Sequence, residues 1–148
     1  MDKPWLKSYP TGMSEDIDVN AYQSVSEVFE QSVNKYTDCP AFCNMGTTLS
    51  YTDMDRLTKH LAAYLQSIPG MQKGDRVAIM MPNLLQNPIA IFAVLRAGFV
   101  VVNTNPLYTP RELRHQLKDS GSKVIIVVDN FCSTVQEVLA DTDIQQVV

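Results

Sequence analysis

The sequence has no excess of positive charge and no long hydrophobic run, and each absence argues against a class of protein. Its 148 residues contain 12 Lys and Arg against 16 Asp and Glu, for a formal net charge of -4. Because binding to nucleic-acid phosphates needs a basic surface, nucleic acid is not an expected partner. The opening MDKPWLKSYP has no apolar core of the signal-peptide type, and no window approaches the roughly 18 apolar residues of a membrane-spanning helix. We therefore expect a cytoplasmic location.

Cysteine and histidine are scarce, which argues against a metal centre. The cysteines are Cys39, Cys43 and Cys132, an odd number, and no second close pair accompanies Cys39 and Cys43 to complete a zinc site. Neither His60 nor His115 has a second ligand at a useful spacing. We predict no metal-ligating residue, and we expect the cysteines to be buried or half-buried free thiols in a reducing compartment.

The motifs that bind phosphate or supply a nucleophile are missing as well. The stretch 70–74 contains two glycines and a lysine but precedes a strand, and the GTT at 46–48 lacks a following Gly and Lys, so neither is a phosphate-binding loop. No G-x-S-x-G is present. The remaining polar candidates are explained as capping or surface groups: Asp53, Asp55, Glu112, His115, Asp119 and Ser120. The sequence therefore predicts no catalytic residue and no cofactor-binding residue.

What is present is a series of well-marked helices and strands, after an irregular lead segment at about residues 1–21. Ser24 and Glu27 have the spacing of a capping box for a first helix that runs to about Tyr36. The extended runs PAFCN and TLSY flank Met45 and Gly46, which predicts a β-hairpin.

A second helix follows the hairpin. Thr52 is expected to cap it together with Asp55, and Pro69 and Gly70 end it. One apolar stripe runs along this helix through Met54, Leu57, Leu61, Leu65 and Ile68.

From residue 76 onward, strand patterns alternate with helix patterns. RVAIMM, FVVVN, KVIIVV and QQVV have the composition of strands, and NPIAIFAVLRAG, PRELRHQLKDSG and STVQEVLAD that of helices. This alternation predicts an α/β body over 22–148, in which helices flank a mainly parallel sheet. Gly98 and Gly121 lie just past predicted helix ends, where a residue in the left-handed backbone conformation commonly terminates the helix. The last strand pattern has no covering helix after it, so we expect that the domain continues beyond Val148.

The loop 103–109 is fixed at both ends. It follows an apolar strand, and the next helix has Thr109 as its N-cap, Pro110 at its first position and Glu112 placed to close a capping box. Two hypotheses remain for this loop. It is either a packing element alone or a ligand-presenting loop, since α/β sheets bind ligands at the carboxyl ends of their strands.

Two stretches together carry a resemblance to a known family. LSYTDMDRL, from Leu49, resembles the first core motif of adenylate-forming enzymes, with Met54 in place of the motif's final Leu. LRAGFVVVNTNPLYTPREL, from Leu95, resembles their second core motif. The opening stretch and the NTNPLYTPREL wording resemble bacterial long-chain fatty acid–CoA ligases, and the resemblance covers essentially the whole chain. It implies that the chain is the N-terminal portion of the large adenylating domain, with Leu49, Tyr51 and residues 96–98 in structural roles.

The resemblance also implies a reaction. ATP and a fatty acid give an acyl-adenylate and pyrophosphate with Mg²⁺, and coenzyme A then displaces AMP. The loops that bind ATP and Mg²⁺ in this family lie outside residues 1–148, so the resemblance transfers no catalytic residue and implies that the isolated chain is inactive. It further implies a peripheral position at the inner membrane and a homodimer. Two alternatives stay open, another acid–CoA ligase and a short non-catalytic binding module.

The lead segment offers one candidate contact with lipid. Its side chains suited to a lipid interface are Trp5, Leu6 and Tyr9, with Lys3 and Lys7 beside them. The alternative hypothesis is that the aromatic side chains fold back onto the domain.

Overall fold

The computed structural model describes residues 2–148. After a lead segment with one short 3₁₀ turn (Pro4–Ser8), the helices are α1 (Val25–Tyr36), α2 (Tyr51–Ser67), α3 (Gln86–Arg96), α4 (Pro110–Ser120) and α5 (Cys132–Gln136). The strands are β1 (Pro40–Asn44), β2 (Thr47–Ser50), β3 (Arg76–Met80), β4 (Val100–Asn103), β5 (Val124–Val127) and β6 (Gln146–Val147). The first helix has the predicted bounds, with Ser24 Oγ accepting a hydrogen bond from the Glu27 amide.

A four-stranded parallel sheet in the order β4-β3-β5-β6 forms the centre of the fold. Val77 and Ile79 of β3 pack with α2 and α3 on one face, while Ala78 and Met80 pack with α4 and α5 on the other. Covering both faces of a parallel sheet explains why β3 and β5 are apolar at successive positions. The predicted fold class, α/β with helices flanking a mainly parallel sheet, is confirmed.

The predicted hairpin is present as a separate two-stranded antiparallel sheet. Met45 and Gly46 both have positive φ, at 48° and 80°, which matches the right-handed twist of the flanking strands. Its second strand ends at Ser50 rather than continuing to Tyr51, because Tyr51 is already the first residue of α2.

The predicted cap of α2 is wrong by two residues. Ser50 is the N-cap, and Asp53 completes the capping box. Thr52 is occupied elsewhere, since its amide and its hydroxyl both donate to the Thr37 carbonyl, at 3.0 and 2.9 Å. Asp55 instead bonds to Lys59 and Arg96. Both Ser50 and Thr52 have an aspartate three residues later, and the end of the β1–β2 pairing decides between them.

The buried face of α2 also differs in part from the predicted stripe. Met54, Leu65 and the following Ile68 are buried as expected, whereas Leu57 and Leu61 are only half-buried. Thr58 and Ala62 complete the buried face. Thr58 is accommodated there because its hydroxyl donates to the Met54 carbonyl at 2.6 Å.

The helix predicted over STVQEVLAD is broken. α5 ends at Gln136, and a separate 3₁₀ turn follows over Leu139–Asp141. The segment has no side-chain cap and begins with Cys, Ser, Thr and Val, all of which have low helix propensity. Val135 and Val138 are nevertheless buried, so tertiary packing holds this segment against the sheet.

The cysteines are a further correction. All three thiols are free and exposed, because Cys39 and Cys43 lie on or beside the hairpin and Cys132 begins α5. The patterns around them gave no local sign of this exposure.

The two helix ends predicted at glycine are confirmed. Gly98 has φ 83° and follows the C-cap of α3, and Gly121 has φ 58° at the C-cap of α4. Arg76 donates from Nε to the Ser120 carbonyl and from Nη2 to the Gly121 carbonyl, so its charge satisfies the last carbonyls of α4.

The stretch 70–74 is a connector at the amino edge of the sheet, as predicted. Asp75, which follows it, accepts hydrogen bonds from the Gln72 amide at 2.7 Å and from Lys123 Nζ at 2.9 Å. The Lys123 hydrogen bond, followed by that from Gln72, holds the pKa of the Asp75 carboxyl below its usual value. This ion pair ties the start of β3 to the start of β5.

Candidate functional site

A polar cleft lies at the carboxyl edge of the sheet, where the loops after β3 and β4 approach each other. It has a volume of about 450 Å³ and is lined by Ile79, Met81, Asn83, Asn87, Ile91, Asn103, Thr104, Asn105 and Tyr108. Thr104 extends the β4 ladder, because its amide donates to the Ile79 carbonyl at 3.0 Å. This is the edge at which parallel sheets present ligands.

The loop 103–109 is held in place by its own hydrogen bonds. Asn105 Oδ1 accepts from the Leu107 amide at 3.0 Å, and the Tyr108 amide donates to the Asn105 carbonyl at 3.1 Å. Gln116 of α4 donates from Nε2 to the Asn103 carbonyl at 2.9 Å. Leu107 points away from the body and is 81% exposed. The loop is therefore a preformed turn that closes one side of the cleft.

Thr109 and Glu112 end this loop with the predicted capping box. Glu112 Oε2 accepts from the Thr109 amide at 2.9 Å and from its hydroxyl at 2.7 Å. The Thr109 hydroxyl, then its amide, lowers the pKa of the Glu112 carboxyl. The Glu112 carboxylate is occupied by the hydrogen bonds that cap the start of α4, which supports its interpretation as a capping group.

The opposite side of the cleft is formed by the loop between β3 and α3 together with the first part of α3. Asn87 donates from Nδ2 to the Met81 carbonyl at 3.3 Å, and Asn44 of the hairpin donates to the Asn83 carbonyl at 3.1 Å. The lining offers amides, hydroxyls and apolar side chains, and none of its members is a carboxylate, an imidazole or a cation. The cleft has the groups to bind a ligand by neutral hydrogen bonds but no group suited to acid–base catalysis at neutral pH.

A second polar cluster joins the two motif stretches through Asp55 and Arg96, which lie 41 residues apart in the sequence. Arg96 of α3 donates to Asp55 Oδ1 at 2.8 Å and to Thr58 Oγ1 at 2.7 Å, and Glu30 of α1 lies 3.6 Å away. The Arg96 guanidinium also lies 5.4 Å from the centre of the Phe29 ring. The Arg96 side chain is only 10% exposed. This cluster therefore joins α1, α2 and α3 at one buried point.

The electrostatics of this cluster favour ionised Asp55. Burial raises the pKa of the Asp55 carboxyl, but the hydrogen bonds from Lys59 and Arg96 outweigh burial, and the pKa lies below its usual value. Sequence analysis missed the pair. The only sequence signal for it was that Asp55 and Arg96 both belong to stretches that resemble one family.

Comparison with known proteins now decides the family. The family model described as AMP-binding enzyme matches residues 29–148. The chain belongs to the AMP-binding enzyme family. Over all 148 residues it is 51% identical to the long-chain-fatty-acid–CoA ligase of Escherichia coli O6:H1 and 52% identical to that of Yersinia pestis. It covers 26% of each of these relatives, so the chain spans about a quarter of their length.

A solved structure shares the fold of this chain. The crystal structure of a long-chain-fatty-acid–CoA ligase from Archaeoglobus fulgidus matches with a TM-score of 0.75 and 25% identity, over 84% of this chain and 26% of that chain. The resemblance inferred from the two motif stretches is thereby confirmed at the level of family and fold.

The other polar candidates of the chain lie apart from the cleft. His60 and His115 are exposed on α2 and α4, and Ser120 bonds to Ser122 at the end of α4. Among residues 2–148, no three His, Cys, Asp or Glu side chains are grouped so as to hold a metal ion. These residues do not fit a Mg²⁺ site, and we assign no step to a metal ion held by them.

The lead segment of the chain packs loosely. Trp5 is 54% exposed and Tyr9 is also exposed, so the structure does not fold these rings back into the body. Lys3 forms ion pairs with Glu15 at 2.8 Å and Asp16 at 3.3 Å. No helix formed by residues 2–148 has the length and apolar character needed to cross a bilayer.

Proposed function

We propose that the chain works as part of an ATP-dependent long-chain fatty acid–CoA ligase. In the first step, a fatty acid carboxylate attacks the α-phosphorus of ATP and releases pyrophosphate. In the second step, the thiol of coenzyme A attacks the acyl carbonyl and AMP leaves. The observation that carries the proposal is the 51% identity to the E. coli relative over every residue of the chain.

Within that enzyme, residues 1–148 act as scaffold rather than as reaction centre. The Arg96 cluster locks three helices together, and the capping box at Thr109 sets where the cleft ends. Side chains outside this chain would then supply the cationic groups, and would hold the Mg²⁺, that offset phosphate charge during adenylation. The loop 103–109 contributes a neutral wall at the ligand edge of the sheet.

A chimera tests this proposal. The chain replaces the matched quarter of the E. coli relative, and acyl-CoA formation from palmitate, ATP and coenzyme A is measured. We expect a chimera with a turnover number within about tenfold of the parent, since family members with equivalent scaffolds retain the same transition-state contacts. The control is the parent ligase with the matched segment deleted. A folded chimera that is no more active than this control would refute the proposal.

The isolated chain is expected to be catalytically silent. The purified chain, incubated with ATP, palmitate, Mg²⁺ and labelled pyrophosphate, should give no ATP–pyrophosphate exchange above an unrelated protein of similar size. A reproducible exchange signal would place adenylation chemistry within these residues and contradict the scaffold role.

Contact with lipid is proposed for the lead segment. The exposed Trp5 and Tyr9 rings favour a peripheral position of the cytoplasmic enzyme at the inner membrane. The chimera should bind vesicles of mixed zwitterionic and anionic lipid, and Trp5→Ala should weaken that binding, whereas Tyr64→Ala, an exposed ring on α2, should not. Equal binding by both variants would refute the proposed contact.

A homodimer of the full-length enzyme is proposed on the family resemblance alone. Sedimentation of the active chimera at several concentrations tests it, and a single monomeric species at every concentration would exclude it.

A further inference from the structure

α3 is apolar on more of its circumference than the other long helices of the chain. Every residue from Ile89 to Leu95 is apolar, and Arg96 is its one charged residue. Ala90, Ala93 and Val94 are buried against the sheet, whereas Ile91 and Phe92 are only half-buried. α4, by contrast, carries charged side chains along its outer surface. A helix that is apolar all round is typical of one buried on every side.

The uncovered flank of α3 forms one wall of an open groove. The hairpin provides the opposite wall, and the groove has a volume of about 480 Å³. Its lining residues are Phe42, Cys43, Asn44, Asn83, Leu84, Leu85, Asn87, Pro88, Ile91 and Phe92. The hydrogen bond from Asn44 to the Asn83 carbonyl joins the two walls, so the groove is fixed in shape by the fold.

Among the described residues, none that lines this groove carries a charged side chain. A free fatty acid carries a carboxylate, which needs a cation or several N–H donors when it leaves water. An apolar polypeptide segment has no such requirement, and the amides of Asn83 and Asn87 at the rim can bond to its backbone. The lining therefore favours a polypeptide occupant, held as apolar helices are held in grooves.

We propose that this groove is the docking surface for an apolar segment of the rest of a full-length ligase polypeptide. The inference rests on the proposed function, under which the chain is one part of a longer enzyme. The relatives are long enough to supply the occupant, because the chain spans only 26% of their length. Docking would complete the burial of α3.

Cys43 provides a reporter in the wall of the groove that needs no substitution. It is exposed in this structure, and Cys132 is an exposed thiol outside the groove lining. Alkylation of both thiols by iodoacetamide is followed by peptide mass spectrometry in the 148-residue chain and in the chimera. The isolated chain is used at a concentration at which light scattering gives a monomer.

The expected result is that Cys43 reacts at least about tenfold more slowly in the chimera than in the isolated chain, while Cys132 reacts at a similar rate in both. An active chimera in which Cys43 remains as reactive as in the isolated chain would overturn the inference and leave the proposed function intact. A folded, inactive chimera would refute the proposed function whatever the state of Cys43. If palmitate alone slows the alkylation of Cys43 in the isolated chain as much as incorporation into the chimera does, the occupant is a hydrocarbon chain and the inference is overturned.

A pair of variants provides a second readout. Phe42→Asp places a charge in the groove, and Val25→Asp places the same charge on an exposed apolar position of α1. Phe42→Asp should lower the melting temperature of the chimera by more than it lowers that of the isolated chain, and Val25→Asp should change neither by much. Equal losses for Phe42→Asp in the two proteins would mean that nothing covers the groove, which contradicts the inference.

Discussion

Replacing Arg96 with alanine removes the one side chain that bonds α2 and α3 together through charge. Its guanidinium donates to the Asp55 carboxylate at 2.8 Å, to the Thr58 hydroxyl at 2.7 Å and to the Asp55 carbonyl at 3.2 Å. The contact with the Phe29 ring is lost as well. Arg96→Ala is therefore expected to destabilise the folded chain without changing its fold.

The size of the loss follows from the burial of the two charges. Breaking a fully buried ion pair costs about 3–5 kcal/mol, while an exposed pair contributes at most about 1 kcal/mol. Arg96 is 10% and Asp55 25% exposed, and Asp55 keeps its bond to Lys59 when Arg96 is removed. The free energy of unfolding should consequently fall by about 2–3 kcal/mol, between the two limits.

Urea unfolding followed by far-UV circular dichroism measures this loss. The midpoint should fall by about 1–2 M, and the melting temperature by about 5–10 °C. Arg56→Ala is the matched control, because Arg56 is 56% exposed and lies 3.5 Å from Asp53. Its cost should stay below about 0.5 kcal/mol. Arg96→Lys keeps the charge but loses the two guanidinium nitrogens that donate to Asp55 and Thr58 together. Its loss of unfolding free energy should therefore lie between the losses for Arg96→Ala and Arg56→Ala.

A double-mutant cycle with Asp55→Asn separates the pair from the rest of the cluster. We expect a coupling energy of about 1–2 kcal/mol between Arg96 and Asp55. The reasoning would be refuted if Arg96→Ala costs no more than Arg56→Ala, or if the two substitutions are additive.

Gly121→Ala should cost about 1–3 kcal/mol in urea unfolding, because Gly121 has φ 58° and an added Cβ would lie 2.7 Å from Arg76 Nη2; an unchanged midpoint would contradict this. Asp75→Asn should reduce the amount by which the free energy of unfolding decreases as the pH is lowered. The lowered pKa of Asp75 gives stability that is present above its unfolded pKa of about 3.9 and is lost as pH falls through the folded value. Urea midpoints from pH 7 down to pH 2.5 test this, and identical profiles for wild type and variant would exclude the assigned role. The isolated chain should also self-associate, because the β4 edge carries the exposed Val100 and the groove beside α3 is apolar. Light scattering that gives a monomer at every concentration up to the solubility limit would contradict that expectation.

The parts of the fold that the sequence predicts correctly are those determined by neighbours in the chain. The capping box joins Thr109 and Glu112, which are three positions apart, and the glycine ends of α3 and α4 depend on local backbone geometry. The alternation of strands and helices likewise needs only local periodicity. These features were sufficient for the α/β architecture.

The parts that the sequence does not predict depend on contacts between distant residues. Ser50 and Thr52 both fit the local pattern of an N-cap with an aspartate three residues later, and the end of the hairpin pairing selects Ser50. Whether Cys43 is buried depends on how the hairpin packs beside α3. The cleft at the carboxyl edge could be placed in outline from the strand order, but its lining comes from three separate segments.

Several residues of the two motif stretches that identify the family make packing and hydrogen-bond contacts within the fold. Leu49 and Tyr51 pack against the cluster of Phe29, Val33 and Met54, and Arg96 joins the second motif stretch to the first. Buried polar contacts of this kind require particular side chains at particular positions, because an unpaired partner is costly inside the fold. A strong family resemblance can therefore arise from positions that never contact a substrate. For this reason the match identifies the family to which the chain belongs through contacts of the scaffold rather than through a reaction centre.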